Sequence, residues 1–433
     1  MNSPQRQLDP SPLHPPATLP GRRHHPYVGQ GYCHTDSAWD EFQNDICQAW
    51  VRRLVSSAKR RSVLLRPRTS EKVNGVRQIN VGIIGTGWCG GIRAETCAAN
   101  PIVKDIHIVE NRPERLAEVA KLVNAKTASA DYRELLKIAD IDAVFISATP
   151  ESLHYPMARE ALLAGKHVFL EKPIAIELHE ADELIALANS KQLKFTIGYS
   201  QRFNPKFAYV KKSINDGTIG TPVSALVSRH ITRGLGKKIT GRTKLSPAAM
   251  EATHDLDFVL WCLEPAKPVK VYSTVNYGAM QAATGGDIPD TQYITVTMDN
   301  GVSFVIGAGW SLPPGYPNFS TTWIEMVGTE GALLVDDSHR DVIRNTVKDG
   351  MQLPMSSMPG EFVEHAYAGP MQAETVHFLN AVGMNKPVLV TAEQARQVME
   401  VYIAADISAE RGEPVSLPLP ESRANYAVAG GAR

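Results

Sequence analysis

An apolar run, Val81-Gly82-Ile83-Ile84, ends in Gly85-Thr86-Gly87-Trp88-Cys89-Gly90, and a stretch of helical character follows. A second apolar run, Ile106-His107-Ile108-Val109, closes on Glu110, twenty positions after Gly90. A lone Gly-x-Gly-x-x-Gly says little. Strand, glycine loop, helix, strand and terminal acid in this order predict a βαβ unit that binds a dinucleotide. Gly85 permits the tight turn, Gly87 lets the backbone approach a pyrophosphate, and Gly90 lets helix and strand pack closely. The helix N-terminus at Trp88 and Cys89 offers free N–H groups and the positive end of a dipole to phosphates. Glu110 is placed to accept hydrogen bonds from the adenosine ribose, and it repels a 2′-phosphate, which favours NAD. Arg112 lies close enough to soften that preference, so NADP stays open.

The chain has 433 residues, too many for one ordinary core, so two domains are expected. Its 45 basic and 45 acidic residues balance, which argues against a nucleic-acid partner. No apolar run is long enough to span a bilayer. Five scattered cysteines (33, 47, 89, 97 and 262) form no Cys-x-x-Cys pair, so no zinc site or disulfide framework is predicted and a reducing compartment is. Arg22-Arg23 is followed by His24-His25-Pro26-Tyr27 rather than an apolar segment, which rules out a twin-arginine signal and points to the cytoplasm.

Residues 1–75 form an accessory extension: disordered to about residue 36, then one amphipathic helix carrying Trp39, Phe42, Ile46, Trp50 and Leu54 behind Ser37. This extension holds 11 lysines and arginines against 6 acids. It is either an accessory arm without chemistry, the preferred reading, or a grip on an anion or a partner subunit. Residues 76–198 alternate strand and helix, which argues for an α/β, doubly wound parallel sheet. Residues 199–390 carry longer strands, among them 223–231, 269–277, 292–298, 302–308 and 322–327, with Asp299-Asn300-Gly301 as a hairpin turn. They predict an α+β domain with a largely antiparallel sheet. Residues 391–416 predict a helix that packs back on the first domain.

Two further strings follow buried strands: Thr149-Pro150-Glu151-Ser152-Leu153-His154, and Gly165-Lys166-His167-Val168-Phe169-Leu170-Glu171-Lys172-Pro173. Glu171-Lys172-Pro173 therefore lies at the carboxyl end of a strand, where open α/β sheets place ligands, with Lys172 beside a nicotinamide. Pro173 stiffens the turn and suits a cis bond. Thr149, Pro150, His154 and Glu171 are candidate cofactor contacts, with a wall or helix-cap role the alternative for His154.

These strings, in order with Gly85-x-Gly87-x-x-Gly90, Arg202-Phe203-Asn204-Pro205 and His254-Asp255-x-Asp257, resemble the Gfo/Idh/MocA oxidoreductase family over about residues 78–412. The resemblance implies a Rossmann domain, a C-terminal α/β domain with an open sheet, and NAD or NADP as cofactor. It also implies a sugar, cyclitol or related polyol as substrate, and a homodimer or tetramer assembled through the C-terminal sheet. It places the catalytic lysine on Lys172 and the catalytic histidine on His254. Many members carry an aspartate four residues before that histidine; here the position is Met250, followed by Glu251. Either Glu251 takes over part of that role, or Lys172 and His254 act alone. The second is preferred, because one residue along an α-helix turns a side chain by about 100°.

The expected reaction moves a hydride between a secondary alcohol and nicotinamide, with His254 as base and Lys172, lowered in pKa by burial, polarising the oxygen. Asp255 or Asp257 is available to fix the tautomer of His254. Arg202 and Asn204 either bind substrate oxygens or pin the domains together. Trp310 either lines a sugar face or belongs to the core. Lys237, Lys238 and Arg242 fall in a predicted glycine-rich loop and are expected to be solvated. Two alternatives remain at this level: a dinucleotide-binding regulator without turnover, and a redox-neutral lyase or hydrolase that uses tightly bound NAD transiently.

Overall fold

The computed structural model describes residues 76–313, 316, 320–337, 342–348, 350–352, 360–363 and 366–420. The predicted extension of residues 1–75 lies outside them. The first domain alternates β1 (Ile79–Ile84), α1 (Trp88–Ala99), β2 (Val103–Val109), α2 (Pro113–Leu122), β3 (Thr127–Ser129), α3 (Tyr132–Leu136), β4 (Ala143–Ile146), α4 (His154–Leu163), β5 (His167–Leu170), α5 (Leu178–Ser190) and β6 (Phe195–Ile197). The strands form one parallel sheet in the order β3-β2-β1-β4-β5-β6. Every residue of β1 and β4 is buried, as a sheet covered on both faces requires, which is why they read as unbroken apolar runs. The strand order reverses direction between β1 and β4, and the crevice for a ligand opens at their carboxyl ends.

The second domain begins with α6 (Pro205–Asn215), β7 (Pro222–Thr232) and α7 (Arg233–Thr240). A π-helical turn, Ala248–Ala252, then runs directly into α8 (Thr253–Leu263). There follow β8 (Pro268–Asn276), α9 (Ala279–Thr284), β9 (Thr291–Met298), β10 (Ser303–Leu312), β11 (Ser320–Gly328) and β12 (Ala332–Asp336). Two short ladders, β13 (Arg344–Thr346) with β14 (Gly350–Gln352) and β15 (Phe362–Val363) with β16 (Ala366–Tyr367), precede α10 (Pro370–Gly383), α11 (Ala392–Arg411) and β17 (Val415–Ser416). The main sheet runs β12-β11-β7-β10-β9-β8-β17. It is antiparallel except where β10 pairs with β7 in parallel. The expected hairpin at Asp299-Asn300-Gly301 joins β9 to β10, with Gly301 at φ +86°.

Sequence patterning misplaced one part of this domain. Lys237 and Lys238 sit on helix α7, not in a glycine-rich loop; Gly236 is needed because a Cβ there would lie 2.5 Å from Trp310 Cβ. Helix α6 follows the domain junction, where Asn204 caps it and Pro205 opens it. The domains share their core. Phe378 of α10 packs against Phe145 of β4 and Phe169 of β5, with ring centroids 5.2 and 5.7 Å away. Helix α11 packs on β8 and α8 of the second domain as well as on α5 and β6 of the first.

Candidate active site

The glycine loop meets each demand placed on it. Gly85 has φ +82°, and a Cβ there would lie 2.8 Å from Ser147 O. A Cβ on Gly90 would lie 1.9 Å from Gly85 O, so helix and strand pack with no room for a side chain. A Cβ on Gly87 would meet nothing within 4 Å, leaving open space where a pyrophosphate must come close. Helix α1 has Gly87 as N-cap, no side-chain cap and no acid in its first turn, so its N–H groups are free for an anion. Trp88 is half exposed beside them, while the neighbouring Cys89 thiol is pushed up to about 12, first by burial and then by Glu171.

Glu110 ends β2 and is buried. It accepts from Thr86 N and Oγ1, both at 2.9 Å, and from Arg112 N, Nε and Nη2 at 3.1, 2.9 and 3.0 Å. Burial pushes its carboxyl up, but these hydrogen bonds, that of the Arg112 side chain first, hold it down at about 2. Arg112 is 61% exposed, so its hold on Glu110 is weak enough for ribose hydroxyls to replace. These residues fit a dinucleotide.

Lys172 follows β5 at the same edge, before a cis Lys172–Pro173 bond. Its Nζ donates to Met250 O at 2.8 Å. Burial lowers its pKa; the carboxylates of Glu251, Glu151 and Glu171 work against that. His254, in the first turn of α8, has an Nδ1 with no hydrogen-bond partner among the described residues. Its ring meets Tyr199 edge-on at 6.2 Å, and Tyr199 Oη is fixed by Thr253 Oγ1 at 2.8 Å. Burial, then Lys172, then Arg229 hold the imidazole pKa well below 6.5. A neutral imidazole beside an ammonium is the arrangement a base and an oxygen-polarising group need.

The structure adds a carboxylate, that of Glu251, to the surroundings of Lys172. The π-helical turn gives residues 248–252 a register that an α-helix does not have. Met250 turns its side chain into the apolar cluster of Ile231, Ile239, Met280 and Trp310, and gives only its carbonyl to Lys172. Glu251, 9% exposed, is the carboxylate whose charge acts most strongly on Lys172, and it accepts from Trp310 Nε1 at a long 3.4 Å. Its own carboxyl is raised by burial, with Lys172 and Arg229 opposing. The fixed step of about 100° per residue applies to α-helices, and this turn is not one.

Other candidate residues hold contacts within the protein. Arg202 is 2% exposed and forms a fork with Asp257, Nη2–Oδ1 at 2.6 Å and Nε–Oδ2 at 2.8 Å. Asn204 Oδ1 accepts from Lys206 N at 3.0 Å as a helix cap. These bonds fit the junction-pinning role considered for both residues. Trp310 is fully buried under α7 and lines no sugar face. His154 lies between two backbone carbonyls, Nδ1 2.7 Å from Pro173 O and Nε2 3.1 Å from Ala148 O, and donates its one N–H to brace the two cofactor-edge loops. The Thr149–Pro150 bond in the second of those loops is cis. Glu171 turns to the buried Arg93, Nε–Oε1 at 2.8 Å, which also pairs with Glu374 at 2.9 Å. Asp255 pairs with Arg229, Nη2–Oδ1 at 2.9 Å, and Asp257 with Arg202, so neither orients His254. Patterning gave no sign of Arg229, Arg93 or Glu374, because long-range ion pairs leave no local periodicity.

A parallel sheet in this strand order, a glycine loop that leaves space at Gly87 and an acid at the end of β2 define a dinucleotide-dependent oxidoreductase architecture with a second, mixed-sheet domain. The chain belongs to the Gfo/Idh/MocA oxidoreductase family: residues 79–199 match its NAD-binding Rossmann fold and residues 211–417 its C-terminal α/β domain. The oxidoreductase YrbE of Bacillus subtilis is 30% identical over 79% of this chain and 97% of its own length. The scyllo-inositol 2-dehydrogenase (NAD(+)) of Bacillus subtilis is 27% identical, covering 78% of this chain and 96% of its own. The crystal structure of scyllo-inositol dehydrogenase from Lactobacillus casei, with NAD(H) and scyllo-inositol bound, shares the fold: TM-score 0.69 at 24% identity, covering 78% of this chain and 99% of that one. Among the described residues no helix is long and apolar enough to cross a membrane.

Proposed function

We propose that the protein is an NAD-dependent dehydrogenase of a cyclitol, sugar or related polyol, acting at a secondary carbinol. The observation that carries this is the meeting of Lys172, Glu251 and His254 at the carboxyl edge of the NAD-binding sheet. When bound, NAD supplies the hydride acceptor. His254, neutral at pH 7, takes the hydroxyl proton. Lys172 donates a hydrogen bond to the carbinol oxygen, trading away Met250 O. Burial lowers the Lys172 pKa and raises that of Glu251, while the charge of each opposes the other's shift. NAD is preferred over NADP because Glu110 occupies the place a 2′-phosphate would need. The curated relatives named for inositol, levoglucosan and UDP-N-acetylglucosamine dehydrogenases support the substrate class.

The test is a polyol screen followed by reduced-coenzyme fluorescence. Lys172→Met is expected to cut kcat by about 10²–10⁴-fold and leave NAD affinity unchanged. Near-full turnover by Lys172→Met on a polyol that the native protein oxidises would refute the assignment. A regulator without turnover is disfavoured by the retention of both Lys172 and His254; NAD binding with no turnover of any polyol would restore it. A lyase or hydrolase would show product without net coenzyme reduction.

The second copy we propose for this chain docks on the C-terminal sheet. Leu226, Val305, Thr295 and Tyr272 face one another in a row across β7, β10, β9 and β8, continued by Glu325 and Leu334. Leu226, Tyr272, Tyr293, Trp323 and Leu334 on this face are 37–56% exposed, a contiguous apolar band of the kind that marks an interface. Light scattering is expected to show a dimer or tetramer, reduced towards monomer by Leu226→Lys with Trp323→Lys. We place the protein in the cytoplasm, a reading supported by the free Cys89, Cys97 and Cys262.

A further inference from the structure

Glu151 takes no part in the chemistry above, yet it lies at the ligand-holding edge of the first sheet. It opens the short turn Glu151–Leu153 at the carboxyl end of β4, the edge at which open α/β sheets hold ligands. The residue is 4% exposed. Its Oε1 accepts from Arg242 Nη2 at 3.1 Å. Arg242 lies just beyond α7 in the C-terminal domain, so the pair bridges the cleft. Its Oε2 is buried and has no hydrogen-bond partner among the described residues. A buried carboxylate oxygen without a donor is costly, and such groups concentrate where a ligand completes them. The charges of Glu151 and Arg242 are both felt at the Lys172 ammonium.

We propose that Glu151 is a specificity-determining residue whose free Oε2, held in place from the other domain by Arg242, accepts a hydrogen bond from a hydroxyl or protonated amine borne by the substrate beside its reacting carbinol. This rests on the polyol reading and sharpens it. The preferred class is neutral polyols and amino-polyols. A carboxylate or phosphate at the same position would face a buried carboxylate and is rejected.

Glu151→Gln separates this role from a structural one. The amide oxygen can still accept from Arg242, while the amide nitrogen puts a donor where the free acceptor was. A hydroxyl can rotate and accept from that donor; an ammonium cannot. The probes are scyllo-inositol, whose ring carbons are equivalent, and its monoamino derivative. Their dissociation constants are read by fluorescence on the NADH-loaded protein, so no turnover is needed. Glu151→Gln should weaken the amino compound at least about tenfold more than scyllo-inositol, with NADH affinity unchanged. Arg242→Gln, which leaves the carboxylate in place, should weaken both probes and keep the native preference. An amino-to-hydroxyl ratio that is the same in the native protein and Glu151→Gln overturns the proposal. Failure of the native protein, with NADH bound, to take up either probe would instead overturn the polyol reading, and this inference with it.

Discussion

The two sheets do their work in opposite ways. The parallel sheet is covered on both faces, and its functional surface is backbone: a left-handed glycine, an open position at Gly87 and the N–H groups of α1. The C-terminal sheet buries one face and exposes the other, and β7 alternates accordingly, with Ala225 and Val227 buried while Leu226 is exposed. Its contribution to the site is side chains, Arg229 from β7 and Glu251 and His254 from the π turn and α8 resting on it. A site made of backbone tolerates almost no added atoms. A site made of side chains tolerates changes of shape and depends on charge.

Three substitutions test that contrast, from the most to the least disruptive. Gly90→Ala forces a methyl to 1.9 Å from Gly85 O, which only a backbone shift can relieve. NADH affinity should fall by at least about a hundredfold, where 1.4 kcal/mol corresponds to a factor of ten. Retained affinity would show that the loop has slack the geometry denies. Asp257→Ala leaves the buried Arg202 without its fork and should destabilise the protein by about 3–5 kcal/mol in denaturant unfolding. A small loss would mean that Gln394 and Leu389 O, which also accept from Arg202, suffice. Glu251→Gln keeps shape and removes charge. The ionised carboxylate favours the Lys172 ammonium, so its loss should lower the Lys172 pKa further and move the alkaline limb of kcat/KM to lower pH. The expected cost in kcat is about 10–100-fold. The acid limb, set by His254, should stay below pH 6.5, because burial, Lys172 and Arg229 all hold the imidazole down. An unmoved alkaline limb would break the proposed coupling.

How much of this was legible in the sequence follows the same division. Glycines are read from local spacing alone, and Gly85, Gly87, Gly90 and Glu110 fell where the motif put them. The longer strands of both domains except β12 were recovered to within a few residues, because fully buried strands are unbroken apolar runs and one-sided strands alternate, whereas β3 and the short ladders were not. What failed depended on partners distant in the chain. Nothing around Arg202 announces Asp257, or around Glu171 announces Arg93 and Glu374. Trp310 has the composition of a sugar platform but is covered by α7 at Gly236. Glu251 was set aside by assuming an α-helix, and a π turn has no signature in residue type.

Helix α10 supplies Phe378 to the aromatic cluster that β4 and β5 begin, and Glu374 to the ion-pair network around Arg93. During synthesis the ribosome must therefore deliver some two hundred further residues before the nucleotide-binding half can close its own interior. A fragment ending after β6 would leave Phe145 and Phe169 unsheltered and Arg93 stripped of one counter-charge, a nascent chain suited to chaperone capture rather than to early, independent folding.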